Sequence, residues 1–150
     1  MVNIRKAIAQ DIDTLYDLIM GIAKHHGQEA YVKTTKEEML AAGFGENPQF
    51  GALLAEVDGK AAGYLSYTWN YSIWNGAEYM NLDDLFVWPE FRSQKVGLKL
   101  MEAAKALCAE KSVHAIRWEV ESNNAGAIKF YQRLGAIMTE KGIFKWNLNT

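Results

Sequence analysis

The segment Leu82 to Leu107, LDDLFVWPEFRSQKVGLKLMEAAKAL, constrains this chain more than any other. An apolar run closed by Pro89 passes through the loop Arg92-Ser93-Gln94-Lys95-Val96-Gly97 into a long amphipathic stretch with Leu98, Met101, Ala104 and Cys108 on one face. That reads as a buried strand, a tight loop and a helix running to about Lys111. A strand feeding a helix in this way gathers unpaired backbone N–H groups and the positive end of the helix dipole at one point, where an anionic group would sit.

The remaining elements follow from period and punctuation. Val2 to Ile8 alternates and predicts a short first strand. Asp11 leads a helix with the stripe Ile12, Leu15, Ile19 and Ile22, ended by Gly27. Thr35 with Glu38 three residues on is a capping-box signal for a second helix through Ala42. Phe50 to Val57 and Ala61 to Trp69 form a hairpin turning on Asp58-Gly59, and a second turn at Asn75-Gly76 leads into Tyr79 to Val87. His114 to Glu121 alternates and would run parallel to that strand across the helical crossover. Asn124 caps a last helix, Ala125 to Leu134, stopped by Gly135. Ala136 to Glu140 and Ile143 to Leu148 read as two closing strands. No repeat or linker interrupts the order, so one domain over residues 1–150 is expected.

Composition excludes several functions. The formal charge of −2 leaves no basic stripe for a nucleic acid. The single cysteine, Cys108, has no disulfide partner and its spacing makes it a buried small side chain. His25 and His26 lack a third ligand at a useful spacing and His114 stands alone, so no metal site is expected. The N-terminus lacks the order of a signal peptide and no window has the length of a membrane span, which predicts a cytoplasmic protein.

The element order, the loop Arg92 to Gly97 and the segment NNAGAIKFYQRLGA from Asn123 to Ala136 resemble the GCN5-related N-acetyltransferase (GNAT) superfamily along essentially the whole chain. The resemblance implies an α/β fold of the mixed α+β kind: a mostly antiparallel central sheet of about seven strands, with splayed parallel strands in the middle and four helices. It also implies acetyl-coenzyme A as co-substrate, without a metal. The superfamily's cofactor loop reads Arg or Gln, two free positions, Gly, one free position, then Gly or Ala; Lys95 stands where the first glycine is expected. Lysine there keeps its N–H and adds a cation beside the pyrophosphate if the backbone is near helical, and weakens binding if the position needs positive φ.

Within the superfamily the chain is most similar to the diamine and polyamine acetyltransferases of the spermidine/spermine type. Gly43-Phe44-Gly45-Glu46-Asn47-Pro48, Trp74, Leu82 to Val87, and Phe130-Tyr131 before Gly135-Ala136 carry this likeness. Such members have an aromatic and an acid where this chain has His25-His26, and an acid before the tryptophan matching Trp74, where Ser72 and its neighbours stand. Fewer carboxylates suit a shorter or less charged amine than a long polycation. The subgroup implies a homodimer with a small-molecule amine substrate. A lysine-like amino acid, an arylalkylamine or a protein N-terminus is the alternative acceptor, and a coenzyme A binding module without turnover is the alternative of another class.

The resemblance also assigns roles. Tyr131 is the general acid toward the departing thiolate, although helix spacing alone would make it a packed tyrosine. Asp83 is the acceptor of the amine proton. Asp83, Asp84, Trp74, His25 and His26 are substrate-binding candidates. Leu85, Phe86, Val87, Arg92, Ser93, Gln94, Lys95, Val96, Gly97, Leu98, Asn124, Ala127, Tyr131 and Arg133 are cofactor-binding candidates, with the Leu85 N–H toward the thioester oxygen at a strand bulge and Val87 pairing with the pantetheine arm. Asn124 is equally readable as a helix cap and Arg133 as a solvent-facing side chain. Adjacent residues of a regular strand point to opposite faces, so Asp83 and Asp84 are not expected to act as one pair.

Overall fold

The computed structural model describes residues 1–148. The chain divides into two compact units, Met1–Trp118 and the residues from Glu119 onward. The first unit is built on a sheet in the order β1-β2-β3-β4-β5: β1 (Val2–Lys6), β2 (Gly51–Val57), β3 (Lys60–Ser72), β4 (Ala77–Val87) and β5 (Ile116–Arg117). Pairing is antiparallel from β1 to β4, and β5 lies parallel to β4.

Local chemistry explains most of the boundaries. Asp58 and Gly59 both take positive φ, 52° and 80°, the two-residue turn that matches strand twist, so β2 turns straight into β3. The capping box of α2 (Lys36–Gly43) is complete: Thr35 Oγ1 accepts from the Glu38 N–H at 3.1 Å and Glu38 Oε1 accepts from the Thr35 N–H at 3.0 Å. Helix α1 (Ile12–His25) lays Leu15 and Leu18 on the sheet beside Leu54, Tyr64 and Phe86. Its Gly21 lies against the Trp88 and Phe86 rings, where a Cβ would come within 2.4 Å of Trp88. Helix α3 (Val96–Glu110) packs against β1 to β4 and buries Val96, Leu100, Met101, Ala104 and Cys108. Cys108 is therefore the buried small side chain its spacing predicts, and burial pushes its thiol pKa up.

The second unit holds α4 (Ala125–Arg133), whose N-terminus is closed by Asn124 Oδ1 accepting from the Ala127 N–H at 3.2 Å. Gly135 follows at φ 99°.

Two expectations about the sheet are corrected. The strand expected over 114–121 pairs only at Ile116 and Arg117, opposite Met80 and Asn81. The segments 136–140 and 143–148 form no strand, so the described residues give five strands instead of about seven. Alternation marks which side chains could share a face; a strand also needs a neighbour for its backbone groups, and among the described residues no strand pairing is formed by 136–140 or 143–148. Among the described residues no helix is long and apolar enough to cross a membrane.

Candidate active site

The register of β3 against β4 slips once. Ser66 lies opposite Asp84 and Tyr67 opposite Leu82, so Asp83 is the extra residue of a β-bulge. The slip reorganises the side chains around it. Tyr64, Ser66 and Thr68 alternate regularly on β3 and share one face. Asp84 Oδ2 accepts from the Tyr64 hydroxyl at 3.0 Å, Asn81 Nδ2 reaches Thr68 Oγ1 at 3.4 Å, and Asn81 Nδ2 donates to Asp83 Oδ1 at 2.9 Å. Both acids therefore stand on the face that carries Tyr64. This corrects the expectation that Asp83 and Asp84 point to opposite faces: strict alternation holds only for an unbulged strand.

Their environments differ. Tyr64 is fully buried, and burial, with the charge and hydrogen bond of Asp84, drives its phenol pKa far above the ordinary range. It is a fixed donor to a half-buried carboxylate. Asp83 is more exposed, yet its pKa is raised, first by desolvation and then by the Asp84 charge; the Asn81 amide opposes both. Two carboxylates on one face beside a buried phenol make a site for a cation and for a proton.

The same bulge frees the strand edge. The Trp88 N–H donates to Ala62 O across β3 at 2.8 Å, so by alternation Phe86 also faces β3, and Leu85 and Val87 turn their backbone groups to the opposite side. There β5 pairs only with Met80 and Asn81. The Arg92 Nε donates to the Val87 carbonyl at 2.9 Å, with the guanidinium 5.8 Å from the Phe86 ring centroid. Gly63 holds this region close to β3: a Cβ there would sit 2.5 Å from the Phe86 carbonyl. Phe86 offers backbone only, since its ring is buried against α1.

Pro89–Gln94 winds as a 3₁₀ turn, and Lys95 follows at φ 60°, ψ 28°. Lys95 is the N-cap of α3, its carbonyl accepting from the Lys99 N–H at 3.1 Å. The first-turn N–H groups of Val96, Gly97 and Leu98 have no carbonyl within the helix to bond, and the exposed Arg92, Ser93, Gln94 and Lys95 surround them. The residue at the expected glycine position thus occupies the left-handed region, which settles the two readings of the loop backbone: lysine is there at a steric cost. Lys95→Gly is expected to raise stability by roughly 1 kcal/mol, read as an upward shift of the urea midpoint at unchanged slope.

The other sequence-predicted residues fall into three groups. His25 ends α1 with its ring 6.4 Å from that of Phe86, on the face of Asp84, and 5.2 Å from His26, the C-cap. Trp74 is 99% exposed at the tip of the β3–β4 hairpin. From the Ser72–Ala77 pair to the Ser66–Asp84 pair is roughly 20 Å at about 3.3 Å per residue, so Trp74 is not brought to the carboxylates of its own chain. In the second unit, Asn124 and Ala127 bond each other as a helix cap, and Arg133 is exposed in the last turn of α4. Tyr131 is half-buried with its ring 5.4 Å from Phe130, and burial pushes its phenol pKa up. Sequence reasoning missed Tyr64 and Asn81. Asn81 was detectable as the residue two before Asp83 on a strand; Tyr64 required the β3–β4 register.

Comparison with known proteins places this geometry. The model of the acetyltransferase (GNAT) family matches residues 12–136. A thialysine N-epsilon-acetyltransferase of Sus scrofa is 33% identical over 143 residues, spanning 90% of this chain and 84% of the relative. Spermidine/spermine N(1)-acetyltransferase-like protein 1 of Homo sapiens is 26% identical and spans 97% of this chain and 22% of the relative. Among solved structures, an aminoglycoside acetyltransferase from an uncultured soil metagenomic sample, in complex with sisomicin, has a TM-score of 0.84 at 17% identity, covering 99% of this chain and 97% of that one, a likeness of fold.

Proposed function

The chain belongs to the acetyltransferase (GNAT) family and by that membership is an acetyl-coenzyme A dependent acyltransferase, and from this premise we propose that it acetylates the primary amine at the end of a short aliphatic molecule. The observation that carries the acceptor class is the bulge that sets Asp83 and Asp84 on one face, with Tyr64 fixing Asp84. An ammonium is held there by paired negative charge and hydrogen bonding. A diamine or polyamine-like acceptor is the first reading. A lysine-like amino acid is the second, favoured by the relative named as a thialysine N-epsilon-acetyltransferase.

The residues present fit a coenzyme A donor. The open N–H groups at the start of α3, with Arg92 and Lys95 beside them, suit a pyrophosphate, and the edge at Leu85 and Val87, beyond the β5 pairing, suits an amide-bearing arm. When bound, the donor supplies an acetyl thioester. The Leu85 N–H stabilises the negative charge that develops on its carbonyl oxygen as the amine nitrogen attacks the carbonyl carbon. Asp84 orients the bound ammonium, Asp83 takes its first proton to free the attacking lone pair, and the second N–H proton passes to solvent once the C–N bond has formed. The C–S bond breaks, and the Tyr131 hydroxyl gives a proton to the leaving sulfur. Its raised pKa keeps that proton available at neutral pH.

Lys95 stands at positive φ, the case in which lysine weakens donor binding, so Lys95→Gly is expected to bind coenzyme A more tightly as well as to stabilise the fold. The test of the whole reading is thiol release from acetyl-coenzyme A with a panel of diamines, lysine analogues and aminoglycosides. Turnover with short aliphatic amines is expected. Coenzyme A binding without release for any amine would leave a binding module in its place.

A further inference from the structure

A row of polar side chains extends from Asp83 along the hairpin on the face it shares with Asp84. Asn81 Nδ2 donates to Asp83 Oδ1 at 2.9 Å and reaches Thr68 Oγ1 at 3.4 Å. The Thr68 hydroxyl donates to Asn70 Oδ1 at 3.2 Å, and Asn70 Nδ2 reaches the Tyr79 hydroxyl at 3.5 Å. The direction of the Asn81 amide is fixed by chemistry: a carboxylate only accepts, so the NH₂ group must face Asp83. Asn81 stands at the end of the two-residue β5 pairing, opposite Arg117, immediately before the ladder opens. It is thereby fixed by the regular sheet on one side and touches the bulged residue on the other.

We infer that Asn81 is a positioning residue for acetyl transfer: its amide, steered by Thr68, holds the Asp83 carboxylate in one orientation and favours its ionised form. The inference rests on the reading of Asp83 as the proton acceptor. A carboxyl that has its proton already cannot take one from the amine, so whatever keeps Asp83 ionised sets how far into acid the reaction persists.

The groups that act on Asp83 can be named from each element around it. Partial burial opposes its ionisation most, and Asp84 on β4 opposes it further by like charge. Tyr64 on β3 donates to Asp84 and feels the charge of both acids. From α1, His25 lies over Phe86 on the same face. Asn81 is the neutral donor that counters the first two effects, at a position where an isosteric change reverses its sign. Asn81→Ala removes the donor, and Asn81→Asp keeps the shape while adding a third negative charge.

The experiment is a carbon-13 NMR titration of the aspartate carboxyls in the full chain, with Asp83→Asn used to assign the Asp83 signal. The titration midpoint of Asp83 is expected to rise by about one pH unit in Asn81→Ala, the size of a lost hydrogen bond to a charged group, and further in Asn81→Asp. In the acetylation assay at pH 6, Asn81→Ala should lower kcat by up to about tenfold with KM for acetyl-coenzyme A unchanged, and the deficit should shrink as pH rises. A merely structural asparagine would not give this order of midpoints. A midpoint that stays put in both variants, or falls in Asn81→Asp, overturns the positioning role. A midpoint that rises as expected while Asp83→Asn acetylates at the wild-type rate upholds the hold of Asn81 on the carboxylate and overturns Asp83 as the acceptor.

Discussion

Asp83→Asn lowers kcat/KM for the preferred amine by about 100- to 1000-fold at neutral pH, the range in which a positioned general base contributes. The substitution is close to isosteric, so the bulge and the Asn81 contact region keep their shape, and removal of the base is what the assay reads. Sign and pH range follow from the environment. Burial, then the Asp84 charge, hold the Asp83 pKa above the ordinary carboxylate value of about 3.9. Wild-type activity therefore falls as pH drops through that raised value, while the residual activity of Asp83→Asn loses this dependence. Asp84→Asn is expected to behave differently, raising KM for the amine more than it lowers kcat, because on the proposed reading Asp84 holds the ammonium, and Tyr64 holds Asp84. A pH–rate series with both variants separates the roles. Asp83→Asn within about threefold of wild type would remove the residue from the reaction, since a positioned general base typically contributes about 100-fold or more.

The face shared by Asp83 and Asp84 is also where the reading of the residues and the structure part company. The helix and turn elements were legible because their signals are local: a capping box at Thr35 and Glu38, two turn residues at Asp58-Gly59, a stripe on α3 with one side apolar. From its own residues LDDLFV reads as one regular strand, and only the resemblance implies a bulge in it, because a bulge depends on which residue of the neighbouring strand lies opposite. A trace of it is present in the pattern all the same. Leu82 and Leu85 lie opposite Tyr67 and Leu65, which share a face two residues apart, while the leucines are three apart. Spacing of three on a strand face means one extra residue, and the two acids are the only positions that can supply it. Lys95 is a different case. Its left-handed backbone comes from the close join of the 3₁₀ turn to α3, and no side-chain pattern reports φ. The closing segments failed for a third reason, since alternation in 143–148 describes side chains and says nothing of a partner strand.

Tyr131→Phe is expected to cost about 100-fold in kcat with KM for acetyl-coenzyme A changed by less than about threefold, because on the proposed mechanism the hydroxyl acts on the leaving sulfur, and the ring remains to pack beside Phe130. A thiol with pKa of about 8.5 leaves poorly as a bare thiolate and readily once protonated, so the step needs a donor whose own proton survives at working pH. Burial supplies that condition by pushing the Tyr131 phenol up, which also means the hydroxyl cannot serve as a base toward the amine at neutral pH. On the proposed mechanism the same upward shift serves two tasks, making the Asp83 carboxylate a stronger proton acceptor and keeping the Tyr131 phenol protonated. Their variants distinguish this arrangement from a single shared step. If proton removal from the amine and proton delivery to sulfur occur in successive steps, Asp83→Asn/Tyr131→Phe is little slower than the worse single variant, because only the higher barrier sets the rate. If both act in one transition state the two losses multiply, to about 10⁴-fold or more. On the proposed mechanism Asp83 acts at the amine nitrogen and Tyr131 at the sulfur, two different atoms, so the first result is expected.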